Sequence, residues 1–257
     1  MPPILEKPAN MPEPKSGHHP GSITRRSLLA SLLALPLASC QDGEAVSVRF
    51  RVIAKVWVDA TPYQASTVMQ VNYTRIKGSL TGMGGATRLY GEALIFDLPQ
   101  GRGTFFVLPC WRNTDGSLSE IYEPGILTTI GVESSVGSLK DADLARIQHA
   151  TGRLPFKYHA HMPAIVAFRD ESQPKTIFEV NPSDMGASFY GVQFVGLEIE
   201  ITTDPVTQVL TQRLPWIKTW NGPEVFPRDP PGRLRPDSEA PIGYIITKSK
   251  FFGTGSR

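Results

Sequence analysis

Three histidines, His149, His159 and His161, have the residue type and spacing that could hold a metal ion. His159 and His161 flank a single residue, so an extended segment puts both imidazoles on one face. His149, upstream of them, would add a third neutral nitrogen ligand. No cysteine lies beside them and the His-Glu-x-x-His helix pattern is absent, so surface or hydrogen-bonded histidines are the plainer expectation. Glu198 and Glu200 share one face of an alternating strand and could work as paired carboxylates, although alternation with Leu197, Ile199 and Ile201 favours a solvated face. Trp216 and Trp220 lie four residues apart, beside Pro215 and Pro223. Such a pair packs in a core or, if exposed, binds a sugar or peptide. Gly82, Gly84 and Gly85 could present backbone N–H groups to an anion, but they lack the Lys-Ser/Thr of a phosphate loop and read as a strand connection. Arg228, Arg233 and Arg235 alternate with Asp229, Asp237 and Glu239, which suits surface ion pairs better than a phosphate clamp. Cys110 lies among Leu108, Pro109 and Trp111, the setting of a buried structural thiol.

The elements that must position these groups are mostly strands. Val46, Val48, Phe50, Val52, Ala54, Val56 and Val58 hold successive even positions against Ser47, Arg49, Arg51, Lys55 and Asp59, which predicts one long strand with a buried face. Ile53 and Trp57 interrupt the polar side and suggest partial cover there. Thr67 to Ile76 is a second strand. Leu89 to Leu98 and Thr104 to Leu108, joined by a Gly-containing loop, predict a hairpin. Ala164 to Phe168 with Lys175 to Val180 predict another, and Val192 to Thr202 a further strand. Tyr122 to Val132 and the run around Tyr244 to Ile246 are also read as strands.

Helices are expected over 139–150, opened by a capping box at Ser138 to Asp141, then at Asn181-Pro182 and from Asp204-Pro205 to about Arg213. His149 at the end of the first would favour the negative pole of that helix. Pro-rich residues 220–241 read as a surface strap. The fold class expected is mainly β (α+β), a single antiparallel β-sandwich-like domain over 46–257 with two or three short helices.

Residues 1–39 have the pattern of a cleaved signal peptide. A polar, Pro-rich start is followed by Arg25-Arg26 and then by the apolar run Leu28 to Ala38. That run is too short to cross a ~30 Å hydrocarbon core as a helix. Thr24-Arg25-Arg26-Ser27-Leu28-Leu29 resembles a twin-arginine export signal. Leu28 stands where that signal usually has Phe and no Lys follows, so ordinary Sec export stays open. Leu37-Ala38-Ser39-Cys40 resembles a bacterial lipobox, which implies diacylglycerol on Cys40, a short lipidated tether over 40–45 and attachment to a membrane of the cell envelope. A third resemblance, to an uncharacterised proteobacterial family, rests on Met162-Pro163-Ala164-Ile165-Val166, Val180-Asn181-Pro182, Thr203-Asp204-Pro205 and Leu214-Pro215-Trp216. It implies no activity and no functional residues.

The 257 residues carry 26 Lys plus Arg against 24 Asp plus Glu, a net charge of +2. Lys7, Lys15, Arg25 and Arg26 against Glu6 and Glu13 account for all of that excess, so the chain beyond the leader is formally neutral. Neutrality argues against a nucleic-acid partner, and no motif asks for a cofactor. With Cys40 lipidated, Cys110 is the single remaining cysteine and no intramolecular disulfide forms. The expected function is that of a non-catalytic, lipid-anchored envelope protein, facing the periplasm or exterior and binding an envelope protein, peptide or saccharide. The alternative is an envelope enzyme, metal-dependent through His149, His159 and His161.

Overall fold

The computed structural model describes residues 43–76, 84–113, 115–156, 163–220, 226 and 242–255. Contacts divide the chain after Cys40, and everything described belongs to the unit Gln41–Arg257. Strand β1 (Gly43–Val58) and strand β2 (Thr61–Ile76) pair residue for residue as one long hairpin. Its two-residue turn, Asp59-Ala60, has φ of +47° and +66°, the left-handed geometry that matches the twist of the flanking strands. The strand begins at Gly43, so the last residues of the tether expected over 40–45, residues 43–45, already belong to the sheet.

Strands β3 (Gly85–Tyr90), β7 (Arg153–Pro155) and β10 (Val192–Ile201) complete a first antiparallel sheet in the order β3-β2-β1-β10-β7. Strands β4 (Leu94–Asp97), β5 (Thr104–Arg112), β8 (Pro163–Phe168) and β9 (Ile177–Val180) form a second in that order, with β6 (Leu118–Glu120) paired to β5. The expected hairpins β4–β5 and β8–β9 are both present.

The alternation in β1 acts as expected. Val48, Phe50, Val52, Ala54 and Val56 are buried, and they join Met69, Val71 and Tyr73 of β2 against Phe96, Phe105, Val107 and Ile165 of the second sheet. Phe96 and Phe105 stack with centroids 4.7 Å apart. The fold is therefore mainly β and β-sandwich-like, with short helices around it.

The outer faces of the two sheets differ. β5 is buried continuously from Phe105 to Trp111 and β8 along its whole length, the pattern of strands covered on both sides. The cover is a third layer: helices α3 (Leu210–Arg213), α4 (Trp216–Thr219) and α5 (Ile242–Ile245), with Phe226 and Phe251, pack on Phe106, Leu108, Val166 and Phe168.

Several expected elements need correction. Tyr122 to Val132 is not a strand; Tyr122–Thr129 is helix α1, with Tyr122, Gly125, Ile126 and Leu127 all buried. A short helix buried nearly all round has no polar stripe, so its composition imitates a buried strand. The last expected strand is helix α5, whose Ile242 and Ile246 are both buried and joined by a bond of 2.9 Å from Ile246 N–H to Ile242 O. The helix expected from Asp204 begins only at Leu210, because Thr207 is tied to β2 first: Thr207 N–H donates to Val68 O at 3.0 Å, and Val68 N–H to Thr207 Oγ1 at 2.9 Å.

The 139–150 helix is α2 (Asp141–Gln148). Its reciprocal cap is made by Lys140 and Asp143 rather than Ser138, with Lys140 N–H donating to the Asp143 carboxylate at 2.9 Å. Asn181-Pro182 opens a 3-10 turn, Pro182–Ala187, with the Asn181 side chain accepting from Ser183 N–H. Of the 220–241 strap, Trp220 and Phe226 are described, and both are buried.

Candidate functional site

Among the described residues, those singled out by type do not assemble into one site. His149 is exposed at the end of α2, while His159 and His161 lie outside the described residues, as do Cys40, Arg25 and Arg26. Among the described residues no group of three His, Cys, Asp or Glu could hold a metal ion. Trp216 and Trp220 are a correction to the sugar- or peptide-binding alternative. Trp220 is only 6% exposed and meets Phe226 edge-on at 4.5 Å. Trp216 lies 5.9 Å from Trp220 and donates its indole N–H to Glu171 O at 2.7 Å. Trp220 is buried in the third layer, and Trp216 is half-buried against it.

Glu198 and Glu200 face solvent, held by cations rather than facing each other. Lys55 and Arg153 both contact the Glu198 carboxylate, and Arg51 reaches Glu200 at 3.4 Å. The Lys55 hydrogen bond, followed by that of Arg153, holds the Glu198 carboxyl below its usual range. Of the glycine-rich segment, Gly85 opens β3, where an added Cβ would strike Val136 O, so this glycine serves packing. Burial pushes the Cys110 thiol up to about 12, which leaves it protonated and unreactive.

What sequence inspection did not single out is the tip formed by the β1–β2 turn, the β4–β5 loop and the approach to β10. Here Tyr190 is 90% exposed, Trp57 40% and Tyr63 37%. Large aromatic side chains so open to water call for an explanation; Trp57, opposite Pro62, and Tyr63, opposite the buried Val56, leave the hairpin on its two faces. Their backbone support is tight. Asp59 N–H donates to Gly191 O at 3.0 Å, Val192 N–H to Phe189 O at 3.0 Å, and Arg102 Nη1 to Tyr190 O at 3.0 Å. Arg102 is ion-paired with Asp59 and also reaches the Gln100 side chain at 3.3 Å.

The Asp59 hydrogen bond raises the Arg102 pKa above its usual value, and the charges of Asp59, Tyr63 and Tyr190 add to the rise. Gly191 makes the arrangement possible: its φ is +73°, and a Cβ there would overlap the Asp59 carboxylate. Tyr, Trp and Arg on a backbone fixed in advance are the residue types that carry most binding energy at interfaces, because their contact area costs little conformational entropy. Two signals for this tip lie in the sequence: the turn between two alternating strands, and a Tyr-Gly step directly before β10.

A second feature is interior. Glu123 is 4% exposed, and its Oε2 has no hydrogen-bond partner; the neighbouring Tyr122 hydroxyl is buried and unpartnered as well. Burial pushes the Glu123 carboxyl up to about 7, and Glu120 nearby adds to the rise. The Tyr73 hydroxyl donates to Glu123 O at 2.6 Å, and Thr254 approaches Oε1 at 3.4 Å.

The chain matches no family model, no curated protein and no solved structure. The functional assignment therefore rests on the leader and on the tip.

Proposed function

We propose that this chain is a non-catalytic, lipid-anchored cell-envelope protein, exposed to the periplasm or the exterior, whose aromatic tip docks an envelope protein, peptide or saccharide. The observation that carries the proposal is the placement of the tip along β1. With a lipid on Cys40, Gln41 and Asp42 alone separate the anchor from the first residue of β1. The strand then runs for 16 residues, ~50 Å at ~3.3 Å per residue, before it reaches the Asp59-Ala60 turn. The tip thus lies at the C-terminal end of β1, whereas Cys40 precedes the strand's N-terminal end in the sequence. The lipobox resemblance, the neutral charge beyond the leader and the unreactive Cys110 support the same proposal.

Metabolic labelling with a fatty-acid analogue tests the anchor. The wild-type chain should take up label and fractionate with membranes, and Cys40→Ala should do neither; equal labelling of both overturns the anchor. The tip is tested separately by placing a photo-crosslinking residue at Tyr190, with the exposed β3 position Arg88 as control. A discrete adduct from position 190 alone is expected, and equal or absent adducts from the two positions overturn the docking role.

A further inference from the structure

Glu92 lies between β3 and β4, where it bridges to Phe252, and it is only 4% exposed. One of its oxygens, Oε1, accepts two backbone N–H bonds, from Val209 and from Leu210, the latter at 2.8 Å. No cation pairs with it among the described residues. The surface acids of this protein behave differently: Glu44, Asp59, Glu179, Glu198 and Glu200 each meet an Arg or Lys.

A carboxylate buried without a counter-ion is costly, and two amide donors on one oxygen offset only part of that cost. Burial accordingly raises the Glu92 pKa, with the two backbone bonds opposing the rise. The same carboxylate lines a pocket of about 250 Å³ together with Thr207, Gln208, Thr211 and Phe252. The pocket offers a carboxyl group, which a cation entering it would hold ionised, beside neutral hydrogen-bonding side chains and an aromatic residue. These are the groups that receive an ammonium ion, through a charge-assisted hydrogen bond and the face of a ring. Its volume falls below the ~300–1,000 Å³ of drug-sized sites, so it suits the head of a small amine rather than a large ligand.

We infer that the Glu92 pocket is a binding site for a primary ammonium group, with Glu92 as the charge partner and Thr207, Gln208, Thr211 and Phe252 as its walls. The site is separate from the aromatic tip and does not depend on the lipid anchor. Two sources carry the chemistry, a free small amine and a lysine side chain, and propylammonium chloride and N-acetyl-lysine methylamide represent them.

Titration of the full-length protein in detergent, followed by amide NMR or calorimetry, provides the test. At least one of the two probes should bind saturably and shift the amides of Gly91, Glu92, Val209 and Leu210, and the tighter probe identifies the source. Propanol, which lacks the charge, should bind at least about tenfold more weakly than propylammonium. Glu92→Gln keeps an oxygen for the two backbone donors and removes the charge, so it should weaken amine binding by about tenfold or more. Thr211→Phe fills the pocket without touching the carboxylate and should abolish binding even where Glu92→Gln fails to fold. Absence of saturable binding by both amines, or unchanged affinity in a folded Glu92→Gln or Thr211→Phe variant, overturns the assignment.

Discussion

Glutamate occurs in two contrasting regions of this protein. On the outer face of the first sheet, Glu198 and Glu200 of β10 stand across from Ile53 and Arg51 of β1, with Lys55, Arg153 and Arg51 supplying positive charge. Beneath the C-terminal segment, Glu92 and Glu123 are both 4% exposed, and burial outweighs the hydrogen bonds they accept. One residue type is thus pushed toward ionisation on one side of the molecule and toward protonation on the other. The difference follows from what covers each sheet. The first sheet keeps a solvated face, where long cationic side chains reach their partners. The second sheet is sealed by the third layer, and the carboxylates of Glu92 and Glu123 lose water while neither is held in an ion pair among the described residues; Lys250 only partly offsets the burial of Glu123.

The sharpest way to break this contrast is to open the seal. Phe251 is fully buried and meets Phe106, Phe168, Phe226 and Trp216. Phe251→Ala should cost ~3–5 kcal/mol in urea unfolding, far more than any change on the solvated face. A loss below ~1 kcal/mol would show that the third layer does not seal the sheet.

The next largest effect concerns Glu123. Its carboxyl is raised from 4.5 to about 7 in the folded protein. At pH below 4.5 it is protonated in both states and imposes no penalty. As pH rises toward 7 the unfolded chain loses the proton more readily, and stability falls by up to ~3 kcal/mol before levelling off. Glu123→Gln should remove most of that slope and stabilise the protein at pH 8. A pH profile unchanged by the substitution would show that the interior carboxylate is not desolvated.

The smallest effect belongs to Glu198, and its sign is opposite. A depressed pKa contributes stability that is present above the unfolded value and is lost as pH falls through the folded one. Glu198→Gln should cost less than ~1 kcal/mol at neutral pH, with the loss shrinking as salt is added. A cost equal to that of the core substitution would erase the distinction between the two regions.

Much of the first sheet was legible because one of its faces is wet. The even positions from Val48 to Val58 and the alternation of Leu197, Ile199 and Ile201 with glutamates translate directly into inside and outside. Ile53 is covered as expected, whereas Trp57 stays exposed because it stands at the strand end beside the tip. The second sheet gave weaker signals. Its central strands β5 and β8 are buried on both faces, and the short apolar helices α1 and α5 carry no period that separates helix from strand. The Trp216–Trp220 pair shows the same ambiguity: spacing makes the rings neighbours, and only the packing of Phe226 and Phe251 tells that they face inward. Tyr190 escaped notice for the converse reason. A lone tyrosine in sequence becomes part of a built surface only when Arg102 of the β4–β5 loop and Asp59 of the β1–β2 turn meet beside it.

By itself, then, the amino-acid sequence determined the feature that depends on local pattern: a β-rich fold with one solvated sheet. Tertiary structure alone decided which apolar segments became a third layer, which glutamates lost their water, and which aromatic rings met at the tip. The physical reason is range. Alternation and short motifs are encoded among neighbours, whereas burial, charge partnership and the convergence of side chains depend on residues far apart in the chain.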